Sequence, residues 1–134
     1  MKDEKYWEDL GRRAVACEGW RWMPGMLARR WVELAAGLCL NRLRLGESWN
    51  GRHEVETSAW PDFRDPATVG CLLALVREKR GVPSLVCGHV GGWDDDWDTW
   101  EVSNPPGRGH GCCLEGRGET EAEALVAALE QVER

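Results

Sequence analysis

Tyrosine and phenylalanine are almost missing from this chain: one of each stands among 134 residues, beside nine tryptophans. Lysine is scarce as well, with three against fourteen arginines. No apolar run approaches the roughly 18 residues that a membrane-spanning helix needs, which excludes that class. No apolar stretch follows the opening Met1-Lys2-Asp3-Glu4, so a secretory signal is not expected and a cytoplasmic location follows. The sequence has no G-x-S-x-G, no P-loop and no dinucleotide fingerprint, so the common nucleophile and phosphate-cradle signatures are absent. It has neither an internal repeat nor a low-complexity linker, and one domain over residues 1–134 is expected.

Positive charge is in deficit. The net charge is −6, which is wrong for sequence-blind binding to nucleic acid, because that binding relies on neutralising phosphates. Hydrophobic residues make up 43% and charged residues 30%, a globular composition and not a disordered one. Two readings fit the arginine bias. The base composition of a GC-rich genome accounts for it, and guanidinium forks also suit planar anions and stacking on rings. Tryptophan is ordinarily core, yet it is also the best ring for a cation to sit over.

The six cysteines are Cys17, Cys39, Cys71, Cys87, Cys112 and Cys113. An even count suits a disulfide-stapled secreted mini-protein, but this chain is too long for that class and carries no signal. Several of the cysteines lie inside apolar patterns, so in a reducing cytosol they read as buried thiols.

Asp3 is placed to cap a first helix running to about Cys17, with Trp7, Leu10, Ala14 and Cys17 on one face. Gly19 stands where a left-handed residue ends a helix. "WRWM" (20–23) reads as a strand with Trp20 and Trp22 facing the core and Arg21 opposite, and Pro24-Gly25 as a type II turn. Residues 27–46 fit both periods. Ala28, Val32, Ala36, Cys39, Leu40 and Leu43 make a helical stripe, while Val32, Leu34 and Ala36 alternate as in a strand. The preceding Pro-Gly and the following Asn50-Gly51 favour two strands.

Asp65, Pro66 and Gly81 bound a helix over 65–81. Val69, Leu72, Leu73 and Val76 form its apolar face, widened by Cys71, Ala74 and Leu75. Strands follow at 84–90, 97–102 and 112–116. A last helix starts at Thr120, where Glu123 completes a capping box. Runs of strands separated by single helices give an α+β fold, an antiparallel sheet with about three helices packed on it.

Four groupings carry candidate chemistry. Cys87, His89, His110 and Cys112 are mirrored pairs at spacing two, and two adjacent strands would offer a tetrahedral zinc set. Zinc sites more often use other spacings, so buried thiols and surface histidines are the simpler reading. The acidic run at 93–101 aligns Asp94, Asp96 and Asp98, oxygens that calcium or magnesium favours, but it has no EF-hand spacing and reads as a solvated hairpin. Its Trp93, Trp97 and Trp100 form an aromatic patch if exposed. Cys112 or Cys113 beside His110 offers a thiol pair, although sequence neighbours seldom have the geometry for it. Arg21, Arg108 and Arg117 flank strand ends and Gly-rich loops, where arginine can pair with phosphate and Trp93 or Trp97 can stack on a base.

Three blocks, "WRWMPGM" (20–26), "PDFRDPATVGCLLALVRE" (61–78) and "TEAEALVAALE" (120–130), resemble a group of small bacteriophage and prophage proteins with no assigned function. The blocks cover about a quarter of the chain, and residues 27–60 and 81–117 lie outside the likeness. The resemblance implies a phage accessory factor in the host cytoplasm, and no catalytic or binding residue comes with it. Such factors include oligomers that sequester nucleotide immune signals and proteins that block a host protein. The reading expected from all this is a non-enzymatic, homo-oligomeric protein without a cofactor. It binds a small anionic ligand such as a nucleotide through Arg21, Trp93, Trp97, Arg108 and Arg117. The alternatives are a module that inhibits a host protein through the tryptophan patch, and a zinc or thiol enzyme.

Overall fold

Asp3 accepts the Tyr6 backbone N–H at 2.9 Å and so caps α1, Glu4–Ala16. The computed structural model describes residues 2–46, 58–90, 99–103 and 114–131. After α1 come β1 (Leu27–Leu34), β2 (Gly37–Arg44), β3 (Trp60–Pro61), α2 (Pro66–Arg80), β4 (Val86–Val90), β5 (Thr99–Ser103), β6 (Leu114–Gly118) and α3 (Glu121–Gln131). The fold is α+β, and the described strands all pair antiparallel. They form two three-stranded sheets, ordered β2-β1-β3 and β4-β5-β6.

The core lies among the three helices and β5. Leu72, Leu75 and Val76 of α2 and Leu125, Val126 and Leu129 of α3 are fully buried, and Val102 of β5 and Leu85 close the cluster. Each buried leucine contributes about 1.5–3 kcal/mol, so the α2–α3 contact is the main apolar support of the fold. Thr120 Oγ accepts the Glu123 N–H at 3.2 Å, as the capping box requires. The Glu123 carboxylate accepts from the Glu119 N–H (3.2 Å) and from the Tyr6 hydroxyl (2.7 Å), tying α1 to the start of α3. Burial, and then that carboxylate, push the Tyr6 pKa up.

Three local expectations change. α1 stops at Cys17, an extended C-cap with φ −70° and ψ 137°. Gly19 is buried against Leu129 and Lys79 and is not among the positive-φ glycines, so it is a packing position and not a left-handed cap. Residues 20–23 pair with no strand among the described residues. Instead Trp20 meets Trp22 edge-on at 5.4 Å and Phe63 at 6.3 Å, and ring packing takes the place of a ladder. In α2 the buried residues are Thr68, Leu72, Leu75 and Val76, while Ala74 is exposed, so the apolar face is narrower than its composition suggests.

The turns fall as Pro and Gly dictate. The Met26 N–H donates to the Met23 carbonyl (3.2 Å) across Pro24-Gly25, and Gly25 has φ 96°. β1 then runs out and β2 returns through Ala35-Ala36, with Gly37 at φ 116° closing the hairpin. The Asn50-Gly51 signal lies outside the described residues.

Candidate functional site

The hairpin register assembles the site. Leu27 pairs with Arg44, Arg29 with Arg42, Trp31 with Leu40 and Glu33 with Leu38. Strand alternation places these four pairs on one face. That face meets the N-terminal half of α1. Gly11 makes the approach possible, because a Cβ there would stand 2.7 Å from the Pro61 carbonyl oxygen and 2.9 Å from Trp60 Cδ1. β1 is fixed to α2 by Thr68, whose buried hydroxyl accepts the Leu27 N–H at 2.8 Å and donates to Asp65 at 2.7 Å.

The result is an open cleft of about 490 Å³ between α1, the hairpin and the start of α2. Four guanidinium groups line it, from Arg29, Arg42, Arg44 and Arg64, against the carboxylates of Glu4, Asp62 and Asp65. Arg44 forks onto Asp65 with bonds of 2.6 and 3.0 Å and also donates to the Gly25 carbonyl at 2.9 Å. Arg64 donates to Glu4 (2.8 and 3.2 Å) and to Asp62 (3.1 Å). Arg29, with only 12% of its side chain exposed, donates to Glu4 at 2.7 Å and lies 3.6 Å from Asp62. Its Nε is buried without a hydrogen-bond partner. Arg42 is exposed, and its guanidinium makes no hydrogen bond or ion pair to a described residue.

Among the described residues the basin therefore carries one positive charge more than it cancels, on a chain whose net charge is −6. Its two aspartates respond differently. The Arg44 fork holds Asp65 below the usual carboxylate range. Burial pushes Asp62 up, and Arg29 only partly offsets it.

Beside the cations stands an indole. Trp31 is 45% exposed, with its Nε1 donating to Glu8 at 3.1 Å and its ring tilted against Trp60 at 6.5 Å. Arg12 covers the other ring, 4.8 Å from the Trp60 centroid. Trp31 lies one pair along the ladder from Arg29–Arg42, a step of about 7 Å at the strand rise.

The residues expected from the sequence fare otherwise. Arg21 is clamped to Glu78 of α2 by bonds of 3.2 and 2.7 Å, and so fastens the 20–23 segment to the helix. Arg117 on β6 pairs with Glu101 directly across on β5 (Nε–Oε1 3.1 Å), as a cross-strand ion pair. Trp93, Trp97 and Arg108 lie outside the described residues. Trp100, the described member of that tryptophan patch, is half-buried against the core. For the zinc set, the Cys87 thiol contacts the Glu121 carbonyl (3.7 Å), and burial pushes its pKa up to about 12. His89 sits opposite Trp100 on the β4–β5 ladder. His110 and Cys112 lie outside the described residues, as do Cys113 and the acidic run from Asp94 to Asp98. Among the described residues no three His, Cys, Asp or Glu side chains gather as a metal set.

The four basin arginines were not singled out by sequence reasoning. One signal was present: Arg42 and Arg44 alternate with leucines, as residues on one strand face do. The missing piece was the Ala35-Ala36 turn, which sets Arg29 opposite Arg42 and carries no Asn-Gly mark.

Compared with protein-family models, curated proteins and solved structures, the chain matches none.

Proposed function

We propose that this chain is a non-enzymatic accessory protein that captures a small anion, of the nucleotide class, in the arginine basin. The observation that supports this most is Arg42: an exposed guanidinium without a hydrogen-bond or ion-pair partner among the described residues, facing a cleft whose other described charges already cancel. An arriving phosphate gains a charge-assisted bond there without breaking an existing ion pair. The neighbouring Trp31 ring favours a nucleotide over a bare phosphate, because an indole about 7 Å from the cation suits a base at one end and a phosphate at the other. The phage-like blocks agree with a role in taking nucleotide signals out of circulation in a host cell. The site differs from the one the sequence suggested: Arg21 and Arg117 are occupied in structural ion pairs.

Calorimetry and native mass spectrometry against a panel of mononucleotides, cyclic nucleotides and inorganic phosphate test the reading. The expected result is saturable binding of at least one nucleotide, tighter than inorganic phosphate. No bound member of the panel, with no thermal shift, removes it.

A further inference from the structure

The outer edge of β2 has no neighbour among the described residues, since β2 pairs with β1 alone. It pairs for eight residues without a register shift, and its side chains are exposed almost throughout; Leu38 is 68% and Leu43 58% exposed. Natural edges are usually blunted by charge, proline, a bulge or shortness. Residues 37–41, Gly-Leu-Cys-Leu-Asn, have none of these. We propose that this edge is the seam of a two-fold dimer, in which β2 pairs antiparallel with β2 of a second copy about Leu40.

The hydrogen-bond pattern limits the registers. The Leu45 N–H donates to the Met26 carbonyl at 2.9 Å, and bonded pairs alternate along an antiparallel ladder. Residues 37, 39, 41 and 43 therefore spend their backbone groups on β1. Those of Leu38, Leu40 and Arg42 point outward. A seam must join outward groups to outward groups, so its centre falls on a residue and never between two; centring on Arg42 sets two like charges face to face and centring on Leu38 runs the ladder into the turn, which leaves Cys39, Leu40 and Asn41. Centring on Asn41 brings the two Arg42 side chains to diagonal positions on one face, where like charges repel. Centring on Cys39 sets Arg42 against the turn residue Ala36 and shortens the ladder.

Centring on Leu40 sets Leu40 against itself and Arg42 against Leu38 of the second copy, with about six backbone bonds. Beyond that Leu38 stands its own cross-strand partner, Glu33. Each row then reads Arg29, Arg42, Leu38, Glu33, two cations running toward an anion, and the two-fold axis repeats it with the opposite sense. Between the rows Trp31, Leu40, Leu40 and Trp31 form one apolar strip. The charge order and this strip fit the edge to its own copy. The seam lies in the plane of the sheet, so both arginine basins stay open on one face. The inference is independent of what those basins bind.

Sedimentation velocity and cysteine trapping test it together. The expected mass is twice the 15.1 kDa of one chain, and a Leu40→Lys variant with an unchanged circular dichroism spectrum sediments as a monomer. In a Cys39→Ser background, Leu40→Cys should oxidise to a 40–40 disulfide, since facing Cα atoms about 5.5 Å apart are within reach of one. Leu38→Cys should form its 38–38 link at least tenfold more slowly. A monomeric wild type at ~100 μM, or a dimer that traps through residue 38 and not 40, overturns the proposal.

Discussion

Arg44, the last residue of β2, grips Asp65, the N-cap of α2, through two bonds of 2.6 and 3.0 Å. One carboxylate thus serves two tasks: it caps a helix, accepting the Thr68 N–H at 3.0 Å, and it holds the hairpin against that helix. The Asp65 pKa is lowered in the fold, first by Arg44. A carboxylate of that kind adds stability above its ordinary pKa of 3.8 and loses it as pH falls through the folded value. Thermal unfolding should therefore show a drop in Tm below about pH 4. Asp65→Asn should lower Tm at pH 7 and flatten the acid limb, because the residue no longer titrates. An unchanged acid limb in Asp65→Asn would show that other carboxylates govern it.

Asp62 has the opposite shift, and its consequence is for binding. Its pKa is raised, chiefly by burial. As pH falls toward that pKa the carboxylate takes up a proton, and the surplus charge of the basin rises from one to two. Binding of sulfate, whose own charge stays constant where carboxylates titrate, should tighten as the pH is lowered toward that raised pKa. Asp62→Asn should bind more tightly at pH 7 and lose the pH dependence. Equal pH slopes in wild type and variant would remove Asp62 from the account.

Gly11 sets how closely α1 lies on β3. With the Pro61 carbonyl oxygen at 2.7 Å from an added Cβ, the backbone itself has to move in Gly11→Ala. Overpacking of this kind costs about 1–3 kcal/mol. The measured outcome should be a Tm several degrees lower. A Gly11→Ala protein as stable as wild type would mean that α1 stands farther from β3.

Single-residue punctuation made part of this fold legible. Asp65, Pro66 and Gly81 gave both ends of α2, and Pro24-Gly25 gave the reversal before β1. Local patterns misled where tertiary contacts decide. Trp20 and Trp22 alternate like strand residues, yet they pair with no strand among the described residues; the two rings pack on each other, and Trp20 packs on Phe63. The basin was hidden for a related reason. Its ion pairs join residues far apart in sequence, 25 positions between Glu4 and Arg29, 60 between Glu4 and Arg64 and 21 between Arg44 and Asp65. No spacing rule reports contacts of that kind. Arg21 and Arg117 looked like free ligand arms because their partners, Glu78 and Glu101, become neighbours only in the fold.

Arg42 is the most direct test of the central claim. Arg42→Ala and Arg21→Ala should be compared by calorimetry with the tightest-binding nucleotide of the panel, at fixed salt. Loss of one charge-assisted bond, worth about 1.5–3 kcal/mol, corresponds to at least a tenfold rise in Kd. The account predicts that rise for Arg42→Ala, with no change in Tm, and a Kd within twofold of wild type for Arg21→Ala. Unchanged affinity in Arg42→Ala, or an equal loss in Arg21→Ala, would contradict it.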